Sequence, residues 1–309
     1  MTITEVSRLQ AATLRAELSR RATAERLAGA GMHLHVNPPP DFVNLKTDDL
    51  IRELDHCQDD RKELEDPAVP PRAREQASAV AAIIPVNRLV QRPDQDWLLT
   101  ATSMGDFFNV DASERFRDQP IGAVGAASLI TSQLVVTAAH IAPNLQILRR
   151  VRLVFGYKLS DGTPATVFPK NHVYEATLFW IDVRRDIALL QLDRPVPDHH
   201  AALIPRRAAG VSDGEALYVI GHPIGLPAKF TDNGRVLNNS GRRFFTTDLD
   251  VMNGSSGSPV FSAASGELVG VVSTAPVGFT TVNGRLVSDF CHDPSDVPIG
   301  VSRITNLPE

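Results

Sequence analysis

The sequence predicts an all-β fold over residues 119–309, preceded by a mainly α-helical N-terminal extension over residues 1–118. Three observations carry this. Ser128 to Thr137 reads as strand, turn, strand, and Pro259 to Ser273 repeats that pattern with a polar turn at Ser262 to Glu267. Ile187 Ala188 Leu189 Leu190 is a short apolar run of strand length, and Ile299 to Ile304 near the end of the chain also reads as a strand. Ahead of these, Val6, Leu9, Leu14, Leu18 and Leu27 recur with mostly helical spacing.

Taken in order, the first helix is expected over about 4–28, ended by Gly29 and Gly31 and barred from continuing by Pro38 Pro39 Pro40. A second is expected over 47–66, from the cap at Thr47 Asp48 Asp49 to Pro67, with Leu50, Ile51 and Leu54 as its apolar edge. Pro70 and Pro71 lead into a third, from Ala73 to Ile84, and 94–117 has mixed character. These helices are read either as a structural prop or as a regulatory element that docks a protein partner. Neither a repeat nor a low-complexity tract interrupts the chain.

Chemistry concentrates in three strings, His140 closing Thr137 Ala138 Ala139 His140, Asp186 opening Asp186 Ile187 Ala188 Leu189 Leu190, and Ser256 inside Gly254 Ser255 Ser256 Gly257 Ser258 Pro259. A hydroxyl is a weak nucleophile at neutral pH, so acyl transfer needs an imidazole to accept its proton and a carboxylate to orient that imidazole. The glycines beside Ser256 permit a sharp turn and bare amides, so that the NH groups of Gly254 and Ser256 can converge on one point as an oxyanion hole. Taken singly, each string has a plainer reading: a Gly/Ser surface turn, a packed histidine, an aspartate pairing with Arg184 or Arg185. Their joint order favours the chemistry.

With those strings in hand, residues 119–309 resemble the trypsin/chymotrypsin superfamily of serine proteases, and within it the bacterial branch of glutamyl-endopeptidase-like and high-temperature-requirement-type enzymes. The resemblance implies a double six-stranded β-barrel of the trypsin-like type, with barrels over about 119–203 and 204–309. It implies His140 as general base, Asp186 as orienting acid, Ser256 as nucleophile, Gly254 and Ser256 as the oxyanion amides, and Ser273 as the serine that hydrogen-bonds the acid. The 46 residues from His140 to Asp186 and the 70 from Asp186 to Ser256 suit two small barrels meeting at a cleft. The α/β-hydrolase order is Ser, acid, His, with a second glycine where Ser258 stands, and is disfavoured. The function implied is a serine endopeptidase working through an acyl-enzyme. A catalytically silent protease fold that binds peptides, and an esterase on the same scaffold, are the alternatives.

Two departures from secreted relatives matter. Those relatives often carry an aspartate immediately before the nucleophile, which pairs with a freshly cut amino terminus; Ser255 stands there. They also use several disulfides, whereas this chain has Cys57 and Cys291 alone. A reducing, cytoplasmic compartment is therefore expected. For the substrate pocket the resemblance implies Asp250, with Thr274, Ala275 and Gly300 as walls. A carboxylate there favours Arg or Lys in the substrate, unless Asp248 or Asp250 caps a loop locally. Glutamate preference is disfavoured, since Val272 fills the place of the histidine that reads a substrate carboxylate.

Composition adds exclusions. The 309 residues are 43% hydrophobic and 22% charged with a formal net charge of -5, enough for a substantial core and without the basic cluster that phosphate binding requires. No nucleic-acid partner is expected. No run reaches the roughly 20 apolar residues that span a bilayer, so no membrane partner is expected either; the first 30 residues lack an apolar signal core and interleave Glu5, Glu17 and Glu25 with their arginines. His33 with His35, and His199 with His200, lack the convergent ligands of a zinc site, so no metal and no cofactor is expected. His222, in Gly221 His222 Pro223 Ile224 Gly225, is read as a turn residue or a substrate contact beside the cleft.

Overall fold

The computed structural model describes residues 59–142, 144–197, 202–206, 210–282, 284–288, 299–305 and 307–308. The chain divides into two compact units, one of residues 1–59 with 279–292 and one of 60–278 with 293–309. In the smaller unit the described residues form a hairpin, Phe279–Val282 against Arg285–Ser288.

The larger unit is mostly β. Its first sheet runs Val173–Tyr174, Val151–Phe155, Val80–Pro85, Gly125–Leu129, Leu134–Thr137, Ile187–Leu192, Ala176–Asp182, each antiparallel to the next. This is a half-barrel whose two edges come from consecutive pieces of chain on either side of Glu175. The second sheet runs Lys62–Glu63, Lys229–Asn238, Ala216–Gly221, Pro259–Ser262, Leu268–Thr274, Ile299–Arg303, Phe244–Thr247. Val236 also pairs with Thr247, so six of those strands close into a barrel. One apolar cluster joins the sheets, from Leu129, Val136 and Leu189 in the first to Ile220, Phe261 and Val271 in the second. A second fills the closed barrel around Leu217, Val260 and Val301.

The predicted strands form, and the expected hairpin pairs Pro259 with Val271 and Val260 with Gly270. Of the helical extension, only the part from residue 59 onward falls among the described residues. The helix expected over 4–28 lies outside the described residues, as does most of that over 47–66; at the end of the latter, Lys62 and Glu63 pair as strand with Phe230 and Lys229. The third is shorter than expected: Pro71–Gln76 is helical, Ala77–Ala79 is a 3-10 turn, and Val80–Pro85 is a strand inside the first sheet. The cause is that Val80 to Ile84 is apolar at every position and buried on both faces, a pattern in which periodicity cannot distinguish helix from strand. In 94–117, Trp97–Leu99 is a strand, and Met104–Phe108 a short helix capped by Ser103, whose hydroxyl accepts from the Asp106 amide.

Candidate active site

Strand Leu134–Thr137 delivers the small residues Ala138 and Ala139 and then His140, on a 3-10 turn spanning Ala139–Ile141. Neighbouring strand Ile187–Leu192 begins one residue after Asp186, which adopts a left-handed φ of 49° at the turn out of Ala176–Asp182. Aspartate is among the few non-glycine residues that tolerate this region. Strands Leu134–Thr137 and Ile187–Leu192 pair directly, with Thr137 opposite Ala188, so imidazole and carboxylate are neighbours by register. Ser256 comes from the turn ahead of Pro259–Ser262 and is tied to the first sheet where the Ala126 amide donates to its carbonyl at 2.9 Å.

The side chains meet. His140 Nδ1 lies 2.8 Å from Asp186 Oδ2, and its Nε2 lies 2.9 Å from Ser256 Oγ. The His140 amide donates to Asp186 Oδ1 at 2.9 Å, and Ser273 Oγ donates to Asp186 Oδ2 at 2.5 Å. Burial pushes the Asp186 carboxyl upward, but the hydrogen bonds from the His140 ring, the Ser273 hydroxyl and the His140 amide outweigh it and hold the group below the usual carboxylate range. The imidazole is 49% exposed while the carboxylate is 16% exposed, so the acid is sheltered behind a base that opens to solvent.

Gly254 has a φ of 91°, and a Cβ there would come within 3.0 Å of the amide nitrogens of Ile224 and Gly225. The Asn253 carbonyl accepts from the Ile224 amide at 2.7 Å. In a planar trans peptide N–H and C=O point in opposite directions, so this bond turns the Gly254 N–H away from Ile224. Among the described residues, neither the Gly254 nor the Ser256 amide donates to another backbone group.

The pocket residues are placed less tightly. Asp250 is 7% exposed and engaged within the protein, whereas Asp248 binds locally, accepting from the Arg235 amide at 2.6 Å and lying 3.6 Å from its guanidinium. Thr274 Oγ1 accepts from the Gly300 amide at 2.9 Å, and a Cβ on Gly300 would stand 2.5 Å from that oxygen. Ala275 packs against the core of the closed barrel. His222 stands at the head of the 3-10 turn Pro223–Gly225 and is buried: it is 1% exposed, its Nδ1 donates to the Leu226 carbonyl at 3.0 Å, and its ring stacks on Tyr157. Burial lowers its pKa to about 4. His199, His200, Cys57 and Cys291 lie outside the described residues, and among the described residues no cluster of metal-ligating side chains occurs.

Two features of the site escaped the sequence reading. Ile224 holds a left-handed φ of 58°, an outlier for a β-branched residue, and Arg61, far ahead in the chain, is fully buried with its Nη1 3.3 Å from the sulfur of Met252. The string around Ile224 offered a signal in Pro223 and Gly225; nothing near Arg61 did.

Residues 125–271 match the family model of the trypsin-like peptidase domain. The matched span contains all three side chains and both amides described above. Among solved structures, the chain is similar to the Rv3671c protease in an inactive form, with 19% identity and a TM-score of 0.44, over 77% of this chain and 91% of that one. It is likewise similar to the active form from M. tuberculosis, with 20% identity and a TM-score of 0.44, over 77% of this chain and 82% of that one. No curated protein matches the sequence.

Proposed function

We propose that the protein is a serine endopeptidase that cleaves protein substrates with His140, Asp186 and Ser256, of the bacterial branch named above. The observation that carries this reading is the unbroken chain of contacts from Asp186 Oδ2 through both ring nitrogens of His140 to Ser256 Oγ, 2.8 and 2.9 Å long. Ser256 Oγ attacks the scissile carbonyl while His140 Nε2 takes its proton, and the oxygen of the tetrahedral intermediate faces the Gly254 and Ser256 amides. His140 then gives that proton to the leaving amine, which departs with one half of the substrate. Water attacks the acyl-enzyme with His140 again as base, and the proton returns to Ser256 as the acid product leaves. Asp186, held ionised by Ser273 and the His140 amide, keeps Nδ1 protonated and stabilises the imidazolium formed in each half.

Cleavage after Arg or Lys is the specificity that a buried carboxylate at Asp250 supports. A cleavage profile of the purified protein on a peptide library, with Ser256→Ala as control, tests both parts. Cuts after Arg or Lys that vanish in the control are expected. Cuts with no such preference retire the role of Asp250, and a profile identical in the control retires the triad.

A further inference from the structure

The loop that carries the nucleophile is held by segments remote in sequence. Asn253 is fixed at both ends of its backbone, its amide donating to the Pro276 carbonyl at 2.9 Å and its carbonyl accepting from Ile224. Ser255, buried at 2% exposure, donates its amide to the Met252 carbonyl at 3.0 Å, which makes Met252 the base of the turn. The Met252 side chain is 1% exposed and packs against Gly278, where a Cβ would come within 2.5 Å of it. Against its sulfur sits the guanidinium of Arg61.

Arg61 is an unexpected residue to find there. It is 0% exposed, its guanidinium carbon stands 5.2 Å from the centroid of the Phe116 ring, and its carbonyl accepts from Arg115 Nη2 at 2.7 Å. A buried cation is costly and is kept where surrounding groups stabilise it. Two residues on, Glu63 Oε2 is bonded at 3.1 Å to the buried ammonium of Lys229, which also donates to Gln119 Oε1 and to the Pro227 carbonyl, one residue after Leu226. The segment beginning at Arg61 is thus fastened to both the loop of Ser256 and the loop of Ile224. In the secreted enzymes that this sequence resembles, a new amino terminus pairs with an aspartate before the nucleophile; here Ser255 stands at that place, and a cation from another part of the chain reaches the same loop.

We propose that Arg61 is a positioning residue whose buried guanidinium, seated on Met252, holds the Met252–Ser256 loop in the form where the Gly254 and Ser256 amides converge. The site is then assembled in the uncut chain. This rests on the serine-protease reading and names how that site is switched on.

The test uses the full chain, as wild type, Arg61→Ala and Arg61→Lys, treated with a fluorophosphonate probe and followed by labelling rate, intact mass and thermal melting. Wild type takes the label on the uncleaved 33.6 kDa chain. Arg61→Ala labels about 100-fold more slowly, the scale of losing an oxyanion donor, and millimolar guanidinium restores part of the rate. Arg61→Lys, which keeps the charge without the planar fork, falls between the two and is the comparison should Arg61→Ala not fold. Labelling of a folded Arg61 variant at the wild-type rate overturns the proposal, as does a slow Arg61→Ala that guanidinium does not speed. Label confined to chains shortened past Arg61 overturns it while leaving the protease reading intact. Wild type that takes no label, whole or trimmed, removes the protease reading and the brace with it.

Discussion

The half-barrel that carries His140 and Asp186 and the closed barrel that carries Ser256 are built on different principles. In the half-barrel the core strands bury Ser128 and Thr137 among apolar neighbours, and base and acid are brought together by the register of two adjacent strands. The closed barrel buries Lys229, Thr231, Thr247, Asp250, Ser255, Ser258, Ser262, Ser273, Ser302 and Arg303 as well as His222. There the reactive loop meets polar contacts from other parts of the chain, the Ile224 amide on the Asn253 carbonyl and Arg61 on Met252, and Ser273 reaches across to Asp186 in the half-barrel. A strand register tolerates modest side-chain change, whereas a polar scaffold loses the full desolvation cost of any group left unpaired. Substitutions that touch the triad should therefore abolish turnover from either half, while supporting substitutions should act most strongly in the closed barrel.

The largest effect belongs to the triad. Ser256→Ala and His140→Ala should each lower kcat/KM by roughly six orders of magnitude, and the double variant should be no worse than either single one, because the residues act as a unit. Additive losses in peptide-cleavage kinetics would separate the halves functionally and break the comparison. Gly254→Ala comes next. Its Cβ would press on the Ile224 and Gly225 amides from a left-handed backbone, and kcat should fall about 100- to 1000-fold with KM little changed. An equal change in KM would mean that the loop binds substrate rather than the transition state.

Acidification sharpens the comparison through His222. Its pKa in the fold, about 4, lies below the ordinary 6.5 because burial disfavours the charged ring. The unfolded chain therefore binds the proton more readily, and stability is full above 6.5 and is lost as pH falls from there through 4. The loss is on the order of 3 kcal/mol at its limit. Thermal melts between pH 7 and pH 4 should show it, and His222→Gln should flatten that part of the profile; an unchanged profile would exclude His222 as the cause. Asp186 is also lowered, so its contribution is present above the unfolded carboxylate pKa and is lost as pH falls through its folded value. Ser273→Ala should have the smallest effect. Removing one donor from a carboxylate costs about 1.5–3 kcal/mol and should shrink the acid-side loss of stability that Asp186 contributes and end it at a higher pH in thermal melts. A loss that stays unchanged would make Ser273 a packing residue.

What could be read in advance follows the same division. His140, Asp186 and Ser256 stand in short strings whose neighbours, small residues, an apolar strand and paired glycines, have local physical reasons to be there, so the site was legible from sequence. Strand Val80–Pro85 was not, since a run buried on both faces has no periodicity to read. Arg61 and Met252 are 191 residues apart, and neither carries a local sign of the other. Ile224 is hidden for a different reason: propensity argues against a β-branched residue in a left-handed turn, and only its bond to Asn253 and the packing of Gly254 explain its tolerance. The turn at His222 was legible in its Gly-His-Pro-Ile-Gly string, but its burial was not, since that comes from Gly225 lying against Ala123 and from the ring stacking on Tyr157, both distant in sequence.

The central claim is that His140 activates Ser256 across 2.9 Å. The most direct measurement is the site of fluorophosphonate attachment, located by fragmenting the labelled chain, in wild type and in His140→Ala under identical exposure. An adduct on Ser256 in wild type, with Ser256 unmodified in His140→Ala, is the predicted result. Ser256 unmodified in both, or modified equally in both, would contradict it.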